Sequence, residues 1–192
     1  MIFKDELEKR VHILNNFSEE DFRTMDTFVE LIVNAIESGN KVMTCGNGGS
    51  AANAQHITGD IVGRYKIERK AFAGLSLTVD PSVMTATGND YGYDEVFSRQ
   101  VQGLGNSGDV LIVLSSSANS PNLLRAAETA KEMGVTVIGV LGNKGGELKK
   151  KTDYSLLLDF KDSDLVEETA MVVFHIVLLE VEKKLVKKIG GK

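Results

Sequence analysis

Apolar residues recur at helical spacing through residues 3–16 and 19–38, where Phe28, Leu31, Ile32 and Ile36 share one face. Ser18, followed three residues later by Asp21, predicts a helix N-cap with an acidic first turn, and Gly39 predicts the stop. Beyond residue 40 the pattern changes to short apolar runs without polar alternation. These runs, "KVMTC" (41–45), "GLSLTV" (74–79), "DVLIVLS" (109–115), "TVIGVL" (136–141) and "YSLLLDF" (154–160), read as strands. Helical patterns at 50–64, 92–103, 121–133 and 145–151 separate them, and a long helix closes the chain from about 164 to 188. Strands of this kind, alternating with helices, predict a parallel sheet covered on both faces. The expected fold is α/β: one doubly wound domain of about five strands, with residues 1–39 as two leader helices and 40–192 as the core.

Composition narrows the classes. The 192 residues suffice for a sizeable core, and no repeat or linker interrupts them. A net charge of -5 without a basic stripe excludes a nucleic-acid surface as the main business. The basic runs, Lys149–Lys151 and the tail "EKKLVKKIGGK", read as solvated faces. Cys45 is the only cysteine, so neither an intramolecular disulfide nor a multi-cysteine metal site exists. At the end of a strand it is expected to be buried and inert. The start "MIFKDELEKR" is charged and unlike a secretory signal. No apolar run approaches the roughly 20 residues that span a bilayer. A cytoplasmic protein without membrane partners is expected.

Open α/β sheets bind ligands beyond the carboxyl ends of their strands, and the unusual residues fall there. "CGNGGSAANAQH" follows the first strand, and Gly46, Gly48 and Ala51 satisfy the loose dinucleotide fingerprint G-x-G-x-x-G/A. Its glycines admit a close ligand, its helix N-terminus faces an anion with N–H groups, and Ser50 adds a hydroxyl. A second turn, "LSSSANSPNLL", offers Ser115, Ser116, Ser117 and Ser120 before Pro121. Capping a helix needs one serine; four hydroxyls form a cup for a dianion. A dinucleotide needs no second cup, and Asp80 lies about thirty residues past the first turn where that fingerprint wants an acid at about twenty. One phosphomonoester fits both turns better. Asn89 and Asp90 lie in a polar turn near the same face, where simple turn chemistry and a contact to sugar hydroxyls are both open.

A second cluster is of a different kind. His56 and Asp60 are one helical turn apart, and Asp164, Glu167 and His175 lie roughly on one side of the last helix. Two imidazoles and carboxylates suit Zn²⁺ or a similar ion. A surface ion pair and a core histidine are the ordinary alternatives for each helix taken singly. His12, in the leader helix, has no such company and reads as structural or exposed.

Together, "CGNGGSAANAQH", "GRY", "TATGNDYGYDEVFSRQV", "GDVLIVLSSSANSPN" and a last helix with Glu167 and His175 resemble the sedoheptulose 7-phosphate isomerase (phosphoheptose isomerase) family of the sugar-isomerase (SIS) domain superfamily. The resemblance covers nearly the whole chain. It implies a ketose–aldose isomerase that makes D-glycero-D-manno-heptose 7-phosphate, the first step toward ADP- or GDP-heptose, in a homotetramer packed through its leader helices with active sites between subunits. It implies phosphate and substrate contacts at Asn47, Gly48, Ser50, Ser115, Ser116, Ser117 and Ser120, and sugar-hydroxyl contacts at Asp90 and Asp164. It also implies one zinc per subunit on His56, Asp60, Glu167 and His175, with Glu167 facing the substrate as well. Asp60 and His175 would be the acid–base pair, acting on opposite faces of a planar enediol.

The chain departs from that family at three positions, which usually hold Glu where Asp60 stands, Gln where Glu167 stands and Gly where Ala118 stands. The rival readings are a non-catalytic relative that associates with a replication initiator, and an isomerase of a different sugar phosphate.

Overall fold

The computed structural model describes residues 1–160 and 162–190, with side chains to residue 187. In chain order the elements are α1 (Ile2–Asn15), α2 (Glu19–Glu37), β1 (Val42–Gly46), α3 (Gly49–Val62), β2 (Gly74–Ser76), α4 (Pro81–Tyr91), α5 (Ser98–Leu104), β3 (Val110–Ser115), α6 (Pro121–Glu132), β4 (Thr136–Leu141), β5 (Tyr154–Leu157) and α7 (Ser163–Gly190). The five strands form one sheet in the order β2-β1-β3-β4-β5, every pair parallel. Among the described residues no helix is long and apolar enough to cross a membrane.

Local chemistry sets the element ends. Ser18 caps α2 in a reciprocal box: its hydroxyl accepts from Asp21 N at 3.2 Å, and its own N–H donates to the Asp21 carboxylate at 2.8 Å. Gly39, with φ of 81°, lets the chain turn away after the last helical residues. Along β3 the side chains divide between two layers. Ile112 and Leu114 pack with α2, α3 and α7 around Phe28, Ile57 and Phe174, while Leu111 and Val113 pack with α5 and α6 around Phe97, Leu123 and Ala126. Covering both faces is what leaves the strands apolar throughout. Phe28 and Phe174 stack with ring centroids 6.2 Å apart, joining a leader helix to the last one. Such a pair adds about 0.5–1.5 kcal/mol beyond the area it buries.

The structure departs from the pattern in three places. Residues 81–91 form a helix, α4, where a polar turn is expected around Asn89 and Asp90. Only Thr87 of α4 is buried, so it carries no apolar stripe; its start is marked instead by Asp80, whose carboxylate accepts from Ser82 N and Val83 N ahead of Pro81. The acid that a dinucleotide reading needed is thus a helix cap. The helix expected at 92–103 begins later, at Ser98, after a 3₁₀ turn at Tyr93–Glu95. Residues 145–151 make no α-helix, because Gly145 and Gly146 take φ of 89° and 44°.

Candidate active site

β1 and β3 are sheet neighbours whose following helices, α3 and α6, cover opposite faces, so their carboxyl ends open a crevice at the topological switch point. Asn47–Ser50 and Ser115–Ser120 both leave strands there. Gly46 permits the tight β1–α3 entry, since a Cβ on it would meet the Ser50 carbonyl oxygen at 2.7 Å. Gly48, with φ of 57° and ψ of -123°, precedes α3 and contributes no capping side chain. The helix therefore starts with its N–H groups uncapped by a side chain and its positive end toward the crevice.

In the second turn the Ser115 hydroxyl accepts from Ala118 N at 3.0 Å and shapes the loop. Ser117 and Ser120 hydroxyls lie 3.3 Å apart, and Ser120, although at the N-cap of α6, makes no side-chain cap. The ordinary capping role is thus not what its hydroxyl does.

The two turns are tied together by a pair of amides, Asn47 and Asn122, of which the sequence singled out only the first. Asn47 Nδ2 donates to Asn122 Oδ1 at 2.9 Å, and Asn122 Nδ2 returns a bond to Asn47 Oδ1 at 2.8 Å. Tyr93 Oη donates to the same Asn47 oxygen at 3.4 Å, which brings the segment after Asp90 beside the first turn. Asp90 itself, exposed in the last turn of α4, accepts from its neighbour Asn89 at 2.8 Å. Asp164 is engaged by Arg10 of α1, whose guanidinium lies 2.9 Å from its carboxylate and also binds Glu6 and Glu168. A sugar contact by Asp164 would have to compete with that arginine.

His56 and Asp60 of α3 meet His175 of α7, and among the described residues this is the group with metal-binding spacing: one ligand atom from each, all within 4.8 Å of one another. Asp60 Oδ2 lies 3.7 Å from Nε2 of each histidine, and the two Nε2 atoms are 3.4 Å apart. That carboxylate oxygen is buried without a hydrogen-bond partner. A buried acceptor left so is costly, and a cation shared with the two facing imidazoles would relieve it. The residues therefore fit a metal. His12, by contrast, is exposed on α1.

Two expectations change. Glu167 is not in the cluster; its carboxylate packs over Gly49, where any Cβ would overlap it, at the positive end of α3. Its backbone carbonyl accepts from Asn53 Nδ2 at 2.9 Å. Asp60 and His175, 3.7 Å apart, also stand too close to flank an enediol. A planar group in contact with one on each side needs about 7 Å between them, so an opposite-face arrangement does not fit this spacing.

Tyr65 is a further residue that spacing could not reveal: its ring stacks on that of His175, 5.2 Å between centroids and 3° from parallel. Cys45 is fully buried, and burial pushes its thiol far above the ordinary range, which leaves it inert.

A SIS-domain family model matches residues 7–142. A phosphoheptose isomerase of Clostridium acetobutylicum is 45% identical over 161 residues, 84% of this chain and 82% of that protein. The chain belongs to the phosphoheptose isomerase family. A second member, from Citrifermentans bemidjiense, is 39% identical over 185 residues and covers 96% of both chains. The solved phosphoheptose isomerase of Neisseria gonorrhoeae superposes with a TM-score of 0.85 at 30% identity, covering 94% of this chain and 97% of that one.

Within the phosphoheptose isomerase frame two of the three departures acquire a physical meaning. Asp60, though one methylene shorter than the expected Glu, still reaches both imidazoles. Ala118 takes φ of 54°, a left-handed conformation that glycine adopts freely and that costs an alanine about 1 kcal/mol.

Proposed function

We propose that this phosphoheptose isomerase converts sedoheptulose 7-phosphate to D-glycero-D-manno-heptose 7-phosphate, with the phosphate at the two turns and C1–C2 at the cluster. The observation that carries the reading is the convergence of His56, His175 and the unpartnered Asp60 oxygen. Asn47, Gly48, Ser50, Ser115, Ser116, Ser117 and Ser120 supply the N–H and hydroxyl donors of the phosphate site. Glu167, at the glycine turn, belongs with the substrate contacts rather than with the metal ligands.

His56, Asp60 and His175 would hold Zn²⁺, a three-ligand set of the kind that keeps a position open in catalytic sites. Such an ion supplies a Lewis acid for the substrate oxygens when bound. Asp60 takes the proton from C1 and His175 returns one to C2, after which the proton on Asp60 passes back to His175, 3.7 Å away, and both groups are restored. The C2 oxygen gains a proton as the C1 oxygen loses one, so the carbonyl moves and no atom is gained or lost. With both groups on one side, the proton leaves and returns on one face of the enediol. A non-catalytic partner of a replication initiator would have no use for such a cluster.

The test is incubation with sedoheptulose 7-phosphate, with and without chelator and added Zn²⁺, followed by NMR. The expected result is an aldose heptose 7-phosphate whose formation stops with chelator and resumes with zinc. Conversion indifferent to chelation would remove the metal, and binding without conversion would favour the non-catalytic reading or another sugar phosphate.

We infer a homotetramer as well. α1 buries none of its residues, and Phe3 and Leu7 on it are 81% and 64% exposed. An apolar row of this kind is expected to be covered by another subunit. Light scattering should give a four-chain mass, and Leu7→Glu should lower it; a monomeric wild type would contradict the assignment.

A further inference from the structure

Residues 63–73, between α3 and β2, have no regular secondary structure, yet one buried ion pair holds the segment. The side chains of Arg69 and Glu182 are 2% and 1% exposed and meet at 2.8 Å. The Glu182 carboxylate also accepts from the backbone N–H groups of Tyr65, Lys66 and Ile67, at 2.7, 2.8 and 3.0 Å. Arg69 Nη2 donates to the carbonyl of Asp60 at 2.7 Å, and the guanidinium lies 3.9 Å over the Phe72 ring. One arginine thus grips the end of α3 that carries Asp60, and one carboxylate from α7 grips the backbone that carries Tyr65.

The consequence appears at His175. Its ring has the Tyr65 ring parallel to it, with centroids 5.2 Å apart, and His56 edge-on at 5.1 Å. Glu182 is seven positions after His175, two turns along the same helix face, so the anchor and the histidine ride on one rigid element.

We propose that Tyr65 is a positioning residue for His175, and that the Arg69–Glu182 pair sets Tyr65 and the Asp60 end of α3 together. The proposal rests on the isomerase reading above. An imidazole at a partly open site rotates about its χ2 bond unless a flat partner limits it, and a parallel ring does so without hydrogen bonding to either nitrogen. The ring of Tyr65, rather than its hydroxyl, is the operative part.

The experiment compares Tyr65→Phe and Tyr65→Leu in the metal-free protein by NMR of the His175 ring protons, and in the zinc-loaded enzyme by kcat and KM. In Tyr65→Leu the His175 protons should lose the shift that a stacked ring induces. Its kcat should fall about ten- to a hundredfold, with KM within about twofold. Tyr65→Phe should keep the wild-type shift, kcat and KM. Wild-type kcat in Tyr65→Leu would overturn the proposal, as would Tyr65→Phe being equally impaired, which would give the hydroxyl a chemical role. Thermal unfolding checks the fold of each variant, and Tyr65→Met replaces the leucine variant should that one unfold. A wild-type protein inactive on sedoheptulose 7-phosphate would sink the isomerase reading alone, since the ring-proton shift tests the stack without substrate.

Discussion

Asp60→Asn is expected to fold normally and to lower kcat by about 10²–10⁴-fold, the usual contribution of a positioned acid or base. The substitution keeps the volume and removes the charge and basicity. Because Asp60 Oδ2 has no hydrogen-bond partner in the protein, no bond at that atom is lost on substitution, so the melting temperature of the metal-free protein should hold or rise. His175→Ala should lose activity to a similar extent. Phosphate binding should persist in both, since the serine turns are separate from the cluster in the chain and in their contacts: Ser117 pairs with Ser120, and Asn47 with Asn122. Kinetics with sedoheptulose 7-phosphate and binding of inorganic phosphate are the measurements. Full activity in either variant would remove that residue from the chemistry.

Glu182→Gln should have the largest effect on stability. It leaves the buried Arg69 guanidinium without its counter-charge, and breaking a buried pair in this way costs about 3–5 kcal/mol. The same residue makes a pH prediction. Burial by itself would raise the Glu182 pKa, but the N–H groups of Lys66, Tyr65 and Ile67 and the Arg69 side chain outweigh it, and the carboxyl titrates below its ordinary value. A lowered carboxylate stabilises the fold above the unfolded-state value, about 4.3, and that stability is lost as pH falls through the lower folded value. Wild-type stability should therefore drop on acidification below about pH 4, and Glu182→Gln, already low, should show less of that drop. Urea denaturation across that range decides it. A glutamine variant as stable as wild type at pH 7 would mean that the pair is dispensable.

Much of the chain is readable without coordinates. The amphipathic period of α2, its Ser18–Asp21 cap and the apolar runs of β1, β3 and β4 follow from local physics: each element must bury its apolar face wherever it ends up. The glycine and serine turns were legible because glycine and clustered hydroxyls are uncommon without a reason. α4 escaped because a helix with one buried residue has no stripe to detect; its Asp80–Pro81 start was the available signal. The anchor at Glu182 had a faint signal, a carboxylate on the buried face of an apolar helix, which demands a partner without naming it.

The sequence by itself determined the α/β class, the strand order of appearance and the residue types that phosphate and metal chemistry would use. These depend on propensity, period and functional-group chemistry, which are properties of short stretches. Only the tertiary structure decided that β1 and β3 would be neighbours, so that two turns about seventy residues apart share one crevice through Asn47 and Asn122. It also separated Glu167 from the His56–Asp60–His175 group, set Asp60 3.7 Å from His175, and brought Tyr65 onto His175. The reason is that each of these contacts joins elements far apart in the chain, and its distance is set by how helices pack on a common sheet, which no local pattern encodes.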